Sequence, residues 1–249
     1  MEVHAHTQTE RKKWTHYLWE FLMLFLAVFC GFLAENFREH QVEKARERQY
    51  MQSMIQDLQS DTSSLNIGFP LKDQRINAID SIFLFFEKNP LDEKTIPYNI
   101  YRLMQRSTWD RINQRNSGTI DQLKNAGGMR LIRNKIVADS IAKYDCAWQI
   151  AEYWREGYET HQQKLNDLTD RIYNAGDLVS TYRNPVGSAL MSANTDSMKI
   201  KINTGALNEY INVLSHVKVN TFFDRLVYQR LEKRAERLIE FIKKEYHLQ

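Results

Sequence analysis

Glu20 is the one acidic side chain in an otherwise apolar run, Trp14–Ala34 (WTHYLWEFLMLFLAVFCGFLA). A carboxylate held in hydrocarbon can relay protons or ions, as in ion-driven motor subunits that carry one acid on a single helix. A relay residue is expected near mid-membrane. Glu20 lies about one and a half turns in from Trp14, where a carboxylate can snorkel to the headgroups, and that reading is preferred. Other residues offer weaker chemistry. His4 and His6 could pair on a metal but sit on a polar tail, where solvated histidines are the usual case. Glu35, Glu39, Glu43 and Glu47 form an acidic ladder at four-residue steps. It can be read as a cation site, or as a solvated face with Glu35 paired to Arg38 and Glu43 to Arg46, and the second is favoured. Gly127-Gly128 could cradle phosphate, but no strand precedes it and no Lys-Ser/Thr ending follows, so it reads as a corner. His161 could be a ligand or pH sensor, or a half-buried histidine with one partner.

The chain shows no HExxH, no Glu-x-x-His pair for a di-iron bundle, no nucleophile elbow and no Walker loop. Cys30 and Cys146 provide neither a CxxC pair nor zinc spacing. The expectation is a protein that is not an enzyme, with no catalytic residue, no metal and no cofactor.

The element that positions Glu20 is a membrane span. About twenty helical residues cover roughly 30 Å, the thickness of a bilayer's hydrocarbon. From Phe21 to Ala34 there is no charge, and Trp14, Tyr17 and Trp19 mark the entry. Arg11, Lys12 and Lys13 precede it as in a signal peptide. The apolar run is long for a cleaved signal, and Phe32 stands where a small residue is needed for cleavage before Glu35. The run therefore reads as an uncleaved anchor. Its basic start favours a cytoplasmic N-terminus. Arg38, Lys44, Arg46 and Arg48 argue the other way, but long domains translocate largely regardless of charge. In a bacterium the domain then faces the periplasm. Ala27, Gly31 and Ala34 make a small-residue face on which two helices can approach, while Phe21, Phe25 and Phe29 lie on another side toward lipid.

The remainder is long enough for a core of its own. The chain has 249 residues, of which 26% are charged, with only 9 Gly and 4 Pro, a balance that favours long helices over tight turns. Net charge is +3, from 34 basic and 31 acidic residues that interleave, so no nucleic-acid footprint is expected. The organisation reads as a tail (1–13), the transmembrane helix (14–34), a helical stalk (35–65) and a helical domain (66–249). Met51, Ile55, Leu58, Thr62 and Leu65 keep an apolar stripe, and Asn66–Pro70 (NIGFP) is expected to break the helix. A second helix carries Leu71, Ile76, Ile79, Ile82, Phe83 and Phe86 and ends at Asn89-Pro90. Pro97 opens a third, to about Thr108. Thr119 with Gln122 reads as a capping box.

The next helix predicts a heptad seam at Ala147, Ala151, Trp154, Tyr158, His161, Leu165, Leu168 and Ile172, which suits a coiled-coil-like bundle. Residues 176–203 read as an irregular excursion and candidate partner-binding loop, with a short extended piece at Met198–Ile202. A long last helix opens near Thr204 or Gly205, with Leu207, Ile211, Leu214, Phe223, Val227, Leu231, Leu238 and Ile242 on its buried side.

The stalk NFREHQVEKARERQYMQSMIQDLQSDTSSL behind a single span, followed by the corner TIDQLKNAGGMRLIRNKIVADSIAKY, resembles a group of bacterial single-span membrane proteins known only as a domain of unknown function. The resemblance covers under half of the chain. It implies an inner-membrane location and an extramembrane helical domain, and it implies no activity. The fold class expected is all-α: one N-terminal transmembrane helix continuing into a stalk, then a bundle of about five further helices. The function expected is a membrane-anchored, non-enzymatic interaction or scaffold protein. Its partners would be the lipid bilayer and a protein partner or second copy, and not nucleic acid. The alternatives are an accessory subunit of an ion-driven complex working through Glu20, or a periplasmic ligand sensor that relays through a partner.

Overall fold

Residues 14–91, 94–125, 127–173 and 199–248 are described by the structure, a computed structural model. The first element is a single helix, α1 (Trp14–Lys88). The chain divides after Tyr50 into two units. In the first, every residue from Trp14 to Val42 is exposed. Among the described residues, one helix is long and apolar enough to cross a membrane, and its most apolar window is 0% buried. The rings of Phe21 and Phe25 stack at 6.3 Å, and those of Phe25 and Phe29 at 5.9 Å. Arg38 Nε donates to Glu35 at 2.9 Å, the local pair anticipated for the acidic ladder.

The second unit begins at Met51. Here the expected break at Asn66–Pro70 is corrected, because α1 passes through Pro70 without ending. Pro70 can donate no backbone hydrogen bond, a substantial local cost. The stripe of buried positions nevertheless continues across it: Leu58, Asp61, Leu65, Gly68, Lys72, Arg75, Ile79, Ile82. Tertiary packing on both sides of Pro70 outweighs the local signal. Gly68 serves close approach rather than a break. A Cβ there would lie 2.7 Å from Oδ1 of buried Asn113.

After α1, Asn89 caps the helix through its side-chain amide to the carbonyl of Phe85 (2.7 Å). Strand β1 (Thr95–Pro97) leads into α2 (Tyr98–Thr108), with Pro97 at the N-cap. Then come α3 (Gly118–Asn125), a 3-10 turn (Gly128–Leu131), α4 (Lys135–Ile172), strand β2 (Lys199–Lys201), a second 3-10 turn (Thr204–Ala206) and α5 (Leu207–Tyr246). β1 and β2 pair antiparallel, with Ile96 opposite Ile200. The extended piece expected near 198–202 is thus a strand, while residues 176–198 of the excursion lie outside the described residues. The described residues are predominantly helical, with this one short ribbon.

α4 and α5 run antiparallel. Asn134 meets Glu245 at one end and Lys164 meets Glu209 at the other. Two sets of buried side chains fill the unit. Ile79, Ile82, Ile96, Met104, Leu165, Ile172, Leu207 and Leu214 share one cluster. Trp148 packs on Tyr228 with ring centres 5.7 Å apart, near buried Tyr144 and Leu231. At Gly127 the backbone is left-handed (φ 65), and a Cβ on Gly128 would lie 3.3 Å from the Leu123 Cα. The glycine pair is a corner. Asn134 then caps α4, accepting from Ile136 N at 3.0 Å and Val137 N at 3.3 Å.

The α4 seam lies partly on different residues from those expected. Ala151, Leu165, Leu168 and Ile172 are buried, Ala147, Tyr158 and His161 are half-buried, and Trp154 is 55% exposed. The inward stripe runs Tyr144, Trp148, Ala151, Arg155, Tyr158, Gln162, Leu165, Thr169, Ile172, none of them fully exposed. Both series step by four and three and share every second member. The inward one carries Arg155, Gln162 and Thr169, which a search for apolar residues passes over. On α5 the same correction applies to Phe223, 51% exposed, beside buried Thr221 and Asp224. Trp148→Ala is therefore expected to lose about 3–5 kcal/mol of stability. Trp154→Ala should stay within about 0.5 kcal/mol. Denaturant unfolding of the full-length protein reads both, and equal losses would refute this placement of the seam.

Candidate functional site

Charge enters the core where the stripe of α1 reaches Lys72 and Arg75, 1% and 2% exposed. Burying a cation is costly unless it is paired. Lys72 Nζ lies 2.6 Å from Asp224 on α5 and 3.2 Å from Asp110, which follows α2. Arg75 pairs with Asp110 at 3.2 Å, donates through Nε to the Ser107 carbonyl at 2.8 Å, and bonds Gln162 of α4. Gln162 in turn donates to the Thr108 carbonyl at 2.7 Å, and Tyr210 and Ser107 share a hydroxyl contact at 3.1 Å. Burial pushes the Asp224 carboxyl up, and Lys72 offsets part of that rise. Burial also lowers the Arg75 guanidinium, opposed by Asp110. Two cations and two carboxylates thus neutralise one another while tying α1 to α2, α4 and α5. A polar cavity of about 230 Å³ opens beside them, with Arg75, Asp110, Arg155, Gln162 and Asn220 in its wall.

A second network caps α3. Asp61 accepts from Asn116 N at 2.7 Å and Asp57 from Thr119 N at 2.8 Å. These carboxylates of α1 replace the expected Thr119–Gln122 box. Ser117 bonds Asp121 at 2.6 Å, and Thr119 is buried inside the helix. Tyr144 donates to Asp61 at 2.7 Å. Burial raises the Asp61 carboxyl despite the bonds from Asn116 and Tyr144 and the nearby Arg115 charge. Burial also pushes Asp145 upward, but Arg115 at 2.5 Å and Lys124 at 3.0 Å hold it below the usual range.

The third feature is open to solvent. Between α4 and α5 runs a groove of about 810 Å³. Ala147, Ile150 and Trp154 form its apolar wall on α4, with Val227, Leu238 and Phe241 on α5. Four cations edge it, namely Lys143, Arg230, Arg234 and Arg237, and no carboxylate lines it. Free Cys146 is exposed within it.

The predicted residues therefore separate. Ala147 and Trp154 line the groove, Tyr158 lines the polar cavity, and Leu165, Leu168 and Ile172 belong to the core. His161 is half-buried, its Nδ1 3.4 Å from Asn220 and its ring 5.0 Å from that of His216. Glu20 lies 3.2 Å from His16 Nδ1. Ala27, Gly31 and Ala34 are exposed, and a Cβ on Gly31 would meet nothing within 4 Å. The chain matches no protein-family model, no curated protein and no solved structure.

The buried pairing is directly testable. Lys72→Met strands Asp224 in the core and should cost about 3–5 kcal/mol, whereas Lys72→Met with Asp224→Leu should recover most of that loss. A double-mutant cycle by denaturant unfolding measures it. Additive losses would mean that the two charges do not compensate one another.

Proposed function

We propose that this chain is a membrane-anchored, non-enzymatic interaction or scaffold protein. Its N-terminus is cytoplasmic, its single span lies in the inner membrane of a bacterium, and its helical bundle faces the periplasm. The likeness to bacterial single-span proteins of unknown function supports that location.

The observation that carries the reading is the contrast between two apolar surfaces. Every residue from Trp14 to Val42 is exposed, which suits lipid contact along the apolar part of that segment. The groove on α4 and α5 is apolar, cationic and open, which suits a partner. The most deeply buried charges support a structural rather than a catalytic assignment. Lys72, Arg75 and Asp224 are engaged with one another and with the more exposed Asp110, so none of the three is held in reserve for a reacting group. Glu20 supports anchoring over ion relay, because its neighbour is His16, one turn closer to the aqueous end.

A membrane-impermeant, amine-reactive crosslinker applied to intact spheroplasts tests side and role together. A discrete adduct containing the full-length chain is expected before the membranes are opened. An adduct formed only after opening would reverse the orientation. No adduct under either condition would overturn the interaction reading.

A further inference from the structure

The geometry points to an acidic amphipathic helix of a partner protein as the occupant of the α4–α5 groove. This inference rests on the interaction reading and names the partner's chemistry. On α4 the lining extends from Ser140 to Trp154 and on α5 from Val227 to Phe241. At 1.5 Å per residue each wall is about 20 Å long, or roughly four helical turns. An open trough of that length between two antiparallel helices is the shape that receives a third helix by its apolar face.

Charge narrows the choice. Arg230, Arg234 and Arg237 are all exposed and follow one another at steps of four and three, so they form a rail along one edge. Lys143 stands on the other edge. A helix lying along the trough presents carboxylates at the same steps, matching the rail residue by residue. The head of an anionic lipid would instead ask for cations gathered at one end. A second copy meeting groove to groove would bring two such rails together with no lining carboxylate between them, which opposes self-association through this face. The apolar wall supplies the anchor: Ile150 and Trp154 are 52% and 55% exposed and stand ready to be covered.

Cys146 reports occupancy, since it is exposed in the trough. The full-length Cys30→Ser protein in lipid nanodiscs is alkylated with N-ethylmaleimide in the presence of one of two synthetic helical peptides. Both carry leucine on one face. One carries glutamate at flanking steps of four and three, and its twin carries lysine there. The glutamate peptide, at ten times its dissociation constant, should slow Cys146 alkylation about tenfold, and the lysine twin should leave it unchanged. Arg230→Glu, Arg234→Glu and Arg237→Glu together should invert that preference, and the corresponding glutamine variant should abolish it, both with unfolding midpoints near wild type. Equal protection by the two peptides, or by neither, overturns the proposal. Protection by oleate or by anionic vesicles that matches the glutamate peptide assigns the groove to lipid and overturns it too. So does protection that rises with the protein's own concentration. If the glutamine variant still forms the spheroplast adduct, the partner binds elsewhere, and the interaction reading survives while this inference falls.

Discussion

Water's rejection of one helical surface sets the terms for everything else in this chain. From Phe21 to Ala34 the side chains are apolar, and no other part of the described protein covers them. Leaving them wet would forfeit about 25 cal/mol for each Å² of apolar surface. An α-helix satisfies its own backbone, so hydrocarbon can take this segment without orphaning a polar group. The aromatic residues at its start, Trp14, Tyr17 and Trp19, suit the interface, and Glu20 beside His16 keeps the sole carboxylate near that end. The folded unit from Met51 onward is built on different terms, with its apolar side chains hidden from solvent by one another.

Within that unit the charged core explains how a helix containing Pro70 stays a helix. Lys72 and Arg75 sit one turn or so beyond the proline, fastened to Asp224, Asp110 and the Ser107 carbonyl. Those attachments reach α5 and the end of α2, so unwinding α1 there would release several buried charges at once. The arrangement is specific because each cation has a defined partner. A purely apolar stripe would tolerate sliding by a turn. The same logic operates at α3, a helix too short to stand alone, where Asp57 takes the Thr119 amide in its first turn and Asp61 the Asn116 amide just before it.

Much of the helical architecture was legible in the sequence. The apolar N-terminal helix, the stop at Asn89-Pro90, the Pro97 start, the Gly127-Gly128 corner and the long final helix follow from composition and periodicity, which are local properties. What escaped was non-local. Asn66–Pro70 looks like a break until Gly68 is seen to admit Asn113 and the buried stripe is seen to cross it. The α4 seam was displaced because Trp154 is more apolar than Arg155 and Gln162, yet Trp154 is exposed while Gln162 reaches Arg75 on α1 and the Thr108 carbonyl of α2. That displacement conceals the groove. Apolar residues left off the inward stripe, Ala147, Ile150 and Trp154, line an outward surface instead. The buried ion cluster had a readable trace, since Lys72 and Arg75 continue the spacing of Leu58, Leu65 and Gly68. The trace is visible only if the helix is allowed to continue.

Resistance of the full-length chain to extraction is the most direct measurement of the central claim, that the Trp14–Ala34 segment is immersed in hydrocarbon. Membranes washed in alkaline carbonate lose peripheral proteins and keep those threaded through the lipid. The account predicts that the intact chain remains in the pellet after the wash and leaves it only with detergent. Recovery of the intact chain in the carbonate supernatant would contradict it.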